Sequence, residues 1–549
     1  MFIDAPVRTP RSSVMLVIAA SLWLTLMGNF TLWKNLLALP ELSGTAGWVL
    51  ITGFACIIAC TVAAILFMFA WRWTLKPVIS LMLLIAGFAT HYMWMYGIVL
   101  DTSMVVNVLQ TDVREARDQL SGRLLLTVLG VAGVPLVWLW RQPMTSQAWP
   151  KQLLHNVGLC AASLLLAFGT LQLIFQDFAS LMRNHTQLRH QVNPLNSVNA
   201  LLQLTVIPSA KKDGPLQPIA EDAHIVPPAS STSRKPPLLV LVLGETARSQ
   251  NFSLNGYARE TNPRLAHEAV TSFTRVSSCG TSTAESVPCM FSHLGRQDFS
   301  KRRYEYENLL DVLQRAGYAV LWIDNQSGCK GQCARIPTVN TALLQDPAEC
   351  SSGECRDTIM LHRVEAELAQ LPNDRRARGT VVVMHQMGSH GPAYYKRTPK
   401  EFKHFTPECT DASLAQCERE AIVNAYDNTL VFTDFFLSRV IQWLKTQDKD
   451  HASAMLYVSD HGESLGEKNI YLHGLPYRVA PAEQTTVPLI TWLSPQFEQR
   501  NRVSTRCLQA KREQPLSHDH LFHSVLGLMT VKTSVYQREL DVFASCEGR

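Results

Sequence analysis

The sequence predicts a bundle of five membrane-spanning helices followed by a soluble α/β domain with a mostly parallel sheet. Three observations predict it. Long apolar runs dominate the first 180 or so residues. Short apolar strands alternate with helical stretches after residue 238. Ten of the 13 cysteines lie beyond the last long apolar run.

The five runs lie near Val14–Trp33, Trp48–Ala70, Pro77–Leu100, Leu124–Trp140 and Val157–Phe178. Crossing a bilayer takes roughly 17–25 residues of helix. The first reads as a span rather than a cleaved signal peptide, because other spans follow and no clear cleavage site does. Gly130, Gly133 and Pro135 interrupt the fourth. Basic residues mark the cytoplasmic connections: Arg8 and Arg11 before the first span, Arg72 and Lys76 in the second connection, Arg141 and Lys151 in the fourth. Five crossings then place everything after Phe178 on the far side, with the N-terminus cytoplasmic. The net charge of +5 on 549 residues gives no nucleic-acid footprint.

Cysteine usage agrees with an oxidising compartment. Cys56, Cys60 and Cys160 fall inside spans, where a thiol is a small apolar side chain. The remaining ten are Cys279, Cys289, Cys329, Cys333, Cys350, Cys355, Cys409, Cys417, Cys507 and Cys546. Connectivity is open in the sequence. Short loops favour 279–289, 329–333, 350–355 and 409–417, which leaves 507–546. Zinc-binding cysteines are the rival reading, but no matched second pair with histidines follows Cys329 and Cys333.

Between the third and fourth spans, the loop Asp101–Gly122 carries alternating charges and reads as a short amphipathic helix on the outer surface. Residues 181–237 form a connecting region. Asn184–Leu204 is suited to the membrane interface, and Pro208–Pro237 reads as a linker rich in Pro, Ser and Lys. The soluble domain is expected over 238–549. Its strands are 238–243, 318–323, 380–385, 454–459 and 487–492, each a continuous apolar run as in a sheet covered on both faces. Helices are predicted over Tyr304–Ala316 and Glu420–Lys445. Sites in such sheets lie at the carboxyl ends of the strands.

Those ends carry Glu245 after the first strand, Asp324-Asn325-Gln326 with Lys330 after the second, Ser389-His390 after the third, and Asp460-His461-Gly462-Glu463 after the fourth. Glu245, Asp460 and His461 offer two oxygen ligands and one nitrogen, a set that suits Zn²⁺ with one position open. The segment 279–289 supplies candidate nucleophilic hydroxyls at Thr281, Ser282, Thr283 and Ser286. Ser282 followed by Glu285 fits a capping box. That places Thr283 in the first helical turn, where exposed N–H groups favour a phosphate. Zinc lowers the pKa of a hydroxyl ligand, so phosphoryl-type transfer through a covalent threonine intermediate is the expected reaction class.

The motifs GETAR at 244–248, NFSLNGY at 251–257, TNPRL at 261–265, SVPCMFS at 286–292, CKG at 329–331, SHGP at 389–392, YDNT at 426–429, SDHGESLGE at 459–467 and YLHGLPY at 471–477 together resemble the lipid A phosphoethanolamine transferases, which include the mobile colistin-resistance enzymes. The resemblance runs over nearly the whole chain. It implies a periplasmic domain of alkaline-phosphatase and sulfatase type on an inner-membrane anchor. It implies one tightly held Zn²⁺ at Glu245, Thr283, Asp460 and His461, with room for a second during turnover. Thr283 is then the nucleophile, and His390 and His473 surround the phosphoethanolamine as acid, base or second-zinc ligands. Lys330 and Gln326 contact the substrate phosphate region, and Asn107, Thr111 and Glu115 form the donor-lipid pocket. The implied donor is phosphatidylethanolamine and the acceptor lipid A, with polymyxin resistance as the outcome. A monomer without a nucleic-acid partner is expected. Transfer to a core sugar of lipopolysaccharide stays open, because no acceptor site is visible. The spans and the outer loop argue against a membrane-anchored sulfatase or phosphodiesterase. Two positions depart from the family pattern. Gln326 stands where some relatives have Asn, and Glu285 follows the nucleophile where an uncharged residue is usual; a capping box would turn Glu285 away from the phosphate.

Overall fold

The computed structural model describes residues 12–110, 117, 119–145, 147–205, 215–226, 235–344, 346–351, 354–412 and 414–548. The chain divides into two compact units, Met1–Val105 with Leu120–Ile207, and Val106–Gln119 with Pro208–Arg549.

Among the described residues of the first unit, four helices are long and apolar enough to cross a membrane: Thr45–Met68, Leu75–Tyr96, Gly122–Trp140 and Trp149–Met182. Ser13–Leu26 and Phe30–Leu37 form a fifth span if counted together, bent by 50°. The run near Val14–Trp33 is therefore a broken helix rather than a straight one. A break inside a bilayer frees carbonyls that must be satisfied by protein. Here Asn29 Nδ2 donates to Leu24 O at 3.0 Å. Gly28 O accepts from Thr90 Oγ1 at 3.0 Å and from Asn193 Nδ2 at 2.9 Å. Asn193 belongs to the stretch expected to line the interface. It pins the segment between Thr186–Gln191 and the helix Leu195–Thr205 to the bend. In the fourth span, a π-helical segment at Leu129–Gly133 absorbs the two glycines, and Pro135 follows at the start of the next helical segment. In the loop between the third and fourth spans a helix covers Thr102–Gln110. Thr111 and Glu115, expected in the donor pocket, lie outside the described residues, as does the side chain of Asn107.

The second unit is organised by one eight-stranded sheet. Its strands, in chain order, are β1 (Pro237–Gly244), β2 (Val270–Ser277), β3 (Ala319–Asp324), β4 (Thr338–Asn340), β5 (Thr380–His385), β6 (Ala452–Ser459), β7 (Thr486–Leu493) and β8 (Leu516–Ser517). The spatial order is β8-β2-β7-β6-β1-β5-β3-β4. From β6 to β4 every pairing is parallel. These strands are buried along their whole length where they are continuous apolar runs, as burial on both faces requires. Strand β7, the run at 487–492, departs from the parallel expectation. It pairs antiparallel with both β6 and β2. Its apolar content reports burial, and direction is set by the connection that precedes it.

The helix expected over Tyr304–Ala316 begins only at Leu309. Asn308 caps it in a complete capping box with Asp311, and Tyr306 is drawn into a bridge with Gln217. Residues 215–226, inside the stretch read as a linker, are packed onto this unit. Ile219, Ala220 and Ala223 join its core, and His224–Ile225 pairs with Val531–Lys532. The long helix Arg419–Gln447 covers the sheet close to its expected limits. Five disulfides join Cys279 to Cys289, Cys329 to Cys333, Cys350 to Cys355, Cys409 to Cys417 and Cys507 to Cys546.

Candidate metal centre and active site

The parallel register decides which residues meet. Gly244 at the end of β1 stands beside Ser459 at the end of β6. The next residue of each strand, Glu245 and Asp460, therefore emerges at the same edge. His461 follows, and the three lie buried with one ligand atom each within 4.8 Å of the others. Thr246 has φ +61, a costly conformation for a β-branched residue. That turn lets Thr246 N donate to Asp460 Oδ1 (3.1 Å) while its hydroxyl donates to Glu245 Oε1 (2.7 Å). Gly388 closes over this turn. A side chain there would strike the Glu245 backbone oxygen at 2.8 Å, and Ser389 N donates to that same oxygen at 3.0 Å.

The donor atoms are prepared for a cation. Asp460 Oδ1 is used by the N–H groups of Thr246 and His461, leaving Oδ2 buried and without a backbone N–H partner among the described residues. His461 Nδ1 lies 2.9 Å from Gly462 O, so it carries the proton. Nε2 then points its lone pair to Glu245 Oε1 (3.5 Å) and Asp460 Oδ2 (3.4 Å). Burial pushes the His461 pKa down to about 4, which keeps the ring neutral. A buried acceptor with no donor, beside a neutral imidazole and a second carboxylate, is a fit for a divalent cation.

Thr283 completes the cluster. Its hydroxyl donates to Glu245 (3.1 Å to Oε1 and 3.0 Å to Oε2) and lies 3.3 Å from His461 Nε2. It opens the helix Thr283–Met290, directly after the N-cap residue Ser282. The other candidate hydroxyls are placed differently. Thr281 donates to Leu475 O and Ser286 to Asp460 O. The Ser282 hydroxyl makes no hydrogen bond among the described residues, so the expected capping box is not formed. The Ser282 carbonyl instead takes the N–H groups of Glu285 and Ser286. The Glu285 side chain lies across Gly280, back toward the start of the helix.

Around this cluster stand two histidines. The His473 ring lies 4.3 Å from that of His461, and the His390 ring 6.0 Å from that of His473. Lys330 and Gln326 sit in the loop after β3. Asp324 Oδ1 holds that loop through the N–H groups of Gln326 and Gly328, and the 329–333 disulfide closes it. Lys330 Nζ donates to Ser327 Oγ (3.0 Å), and Gln326 Oε1 accepts from the same hydroxyl (2.7 Å). Among the described residues, no hydrogen bond joins either side chain to Thr283. Lys330 and Leu472 share positive φ with Thr246. Strained backbone thus recurs beside Glu245, at the lysine and before His473, as it does at functional sites generally.

Three supporting residues, His518, Asp357 and His385, escaped the sequence reading. His518 accepts Cys279 N–H at Nδ1 (3.0 Å) and donates from Nε2 to Ser459 O (2.9 Å). It thereby ties the loop that carries Thr283 to the end of β6. Asp357 accepts the N–H groups of Met387 and Gly388 and Asn325 Nδ2, joining the loops after β5 and β3. Asp324 Oδ2 lies 3.2 Å from His385 Nδ1, two residues the β3–β5 register places side by side. The only local signal for His518 is a second Asp and His cluster at 518–520. Its partners are set by tertiary contact.

Two family models match the chain: Sulfatase over residues 237–531, and Phosphoethanolamine transferase EptA/EptB over residues 58–207. The phosphoethanolamine transferase EptA of Escherichia coli K12 is 38% identical over 536 residues, covering 96% of each chain. The phosphatidylethanolamine transferase Mcr-1 of Escherichia coli is 36% identical over 541 residues, covering 95% of this chain and 96% of that one. The integral membrane lipooligosaccharide phosphoethanolamine transferase A of Neisseria meningitidis superposes with a TM-score of 0.93 at 34% identity. That match covers 98% of this chain and 100% of that one.

Proposed function

The chain belongs to the phosphoethanolamine transferase family, and from that premise we propose that it moves phosphoethanolamine from phosphatidylethanolamine to a phosphate of lipid A. The observation that carries the reading is the Thr283 hydroxyl, bonded to Glu245 and 3.3 Å from His461 at the shared edge of β1 and β6. Glu245, Asp460, His461 and Thr283 would hold one Zn²⁺. That ion, when bound, lowers the pKa of the hydroxyl and offsets charge on the phosphoryl oxygens.

The residues of the chain account for the rest. Thr283 Oγ1 attacks phosphorus, and its proton passes to the carboxylate it already faces. The bond from phosphorus to the diacylglycerol oxygen breaks, and that oxygen takes a proton from His473 or His390. Phosphoethanolamine is then carried on Thr283. A phosphate oxygen of lipid A attacks it, Thr283 Oγ1 leaves and recovers its proton, and the histidine is reprotonated from the acceptor phosphate. Asn107, Thr111 and Glu115 receive the donor lipid from the membrane side, and the N-terminus faces the cytoplasm, with the catalytic unit in the periplasm. The product carries an added ammonium group that lowers surface negative charge, and so weakens polymyxin binding.

Mass spectrometry of lipid A from a susceptible host expressing the chain tests this. A phosphoethanolamine-sized increment supports lipid A as acceptor. An increment on the core sugars alone replaces lipid A with that acceptor. Lys330→Ala is expected to raise the KM for phosphatidylethanolamine about tenfold with a smaller change in kcat, as loss of uniform binding does. Initial rates across donor concentration check it.

A further inference from the structure

A two-residue hairpin follows His461. Ser464 pairs with Leu472 and Leu465 with Tyr471, antiparallel. Extending that register by one residue sets Glu463 opposite His473. The turn between them is built on Gly466 at φ +96, with Gly466 N donating to Ile470 O at 2.8 Å. One hairpin therefore leaves β6 with Asp460 and His461 and returns with His473 above them, its ring 4.3 Å from that of His461.

Glu463 is fully buried. Its Oε2 lies 2.8 Å from His473 Nδ1, and its Oε1 accepts from the Tyr394 hydroxyl at 2.5 Å. Both carboxylate oxygens are thus committed. Burial and the neighbouring carboxylate hold the Tyr394 hydroxyl protonated far above the ordinary tyrosine range. Gly391 permits the approach of Tyr394 and Glu463, since a side chain there would meet both at 2.9 Å. An acceptor-only carboxylate at Nδ1 requires the proton on that nitrogen. Nε2 makes no hydrogen bond among the described residues, and it is the nitrogen left for the reaction.

We propose that Glu463, braced by Tyr394, is the positioning residue that fixes the ring orientation and tautomer of His473 for the transfer reaction. The arrangement follows the logic by which a buried carboxylate orients a working imidazole. It rests on the reading above that His473 takes part in phosphoethanolamine transfer.

The test uses the purified full chain in detergent. The donor is phosphatidylethanolamine labelled in its head group, the acceptor is lipid A, and zinc content and melting temperature are recorded for every variant. Glu463→Gln keeps the shape of the side chain. It is expected to lower kcat about 10–100-fold with the donor KM within about twofold, as loss of an orienting partner does. In the His473→Ala background, Glu463→Gln is expected to change the rate less than about twofold, because a group acting only through His473 has nothing left to act on. Tyr394→Phe removes one brace and is expected to cost less than about fivefold. Equal losses from Glu463→Gln with and without His473 overturn the assignment. So does a Glu463→Gln protein that loses zinc or its melting transition, since a partner of His473 alone leaves both in place. A fully active His473→Ala enzyme sinks the underlying reading instead, whatever Glu463 does.

Discussion

Thr283→Ala is expected to abolish transfer, with a loss of at least about a thousandfold, the scale on which removal of a covalent nucleophile acts. The substitution removes one oxygen and one methyl group from a residue that is nearly buried. The helix it opens is held elsewhere: by the Cys279–Cys289 disulfide, by His518 on the Cys279 N–H, and by Ser286 on Asp460 O. The fold should therefore survive. Thr281 and Ser286 give no rescue, because their hydroxyls are committed to backbone carbonyls. Intact-mass spectrometry of the full chain, incubated with phosphatidylethanolamine vesicles without lipid A, checks the prediction. The unsubstituted protein should gain one phosphoethanolamine increment and the variant none. An increment retained on the variant moves the nucleophile to Ser282, whose hydroxyl is adjacent and unbonded.

The strand ends were readable because a continuous apolar run has a definite carboxyl end, and the polar residue that follows it is conspicuous. That is how Glu245, Asp460 and His461 stand out in the sequence. Their meeting depends on β1 lying beside β6, a pairing across more than 200 residues that no local pattern encodes. The bend of the first span was hidden for a different reason. Met27-Gly28-Asn29 is too short an interruption to register against the apolar residues around it. What stabilises the break comes from Thr90 and Asn193, far along the chain. The capping box at Ser282 shows the converse error. The residue types were right and the N-cap position was right, but the Glu285 side chain packs over Gly280. Tertiary packing overrode a local rule worth only about 1 kcal/mol.

Asp460→Asn is expected to cost zinc rather than fold. The side chain keeps its shape, and an amide oxygen in the place of Oδ1 can still accept the N–H groups of Thr246 and His461. The change falls on Oδ2, the buried oxygen that faces His461 Nε2 at 3.4 Å rather than a backbone N–H. An amide NH₂ there presents hydrogens to the cluster in place of a lone pair, so it can neither ligate nor offset a cation's charge. Partners of metal ligands already cost about 10–100-fold in affinity when lost, and replacing the ligand itself should exceed about a hundredfold. Elemental analysis of the purified chain should find zinc with the unsubstituted protein and little with the variant. Thermal unfolding separates this from a folding defect. Zinc at about a hundred times its dissociation constant stabilises a one-site protein by about 2.7 kcal/mol. Chelation should therefore lower the melting temperature of the unsubstituted chain toward that of the variant and leave the variant where it was. A variant that keeps its zinc would take Asp460 out of the ligand set. A variant that melts well below the chelated parent would make Asp460 a structural residue first.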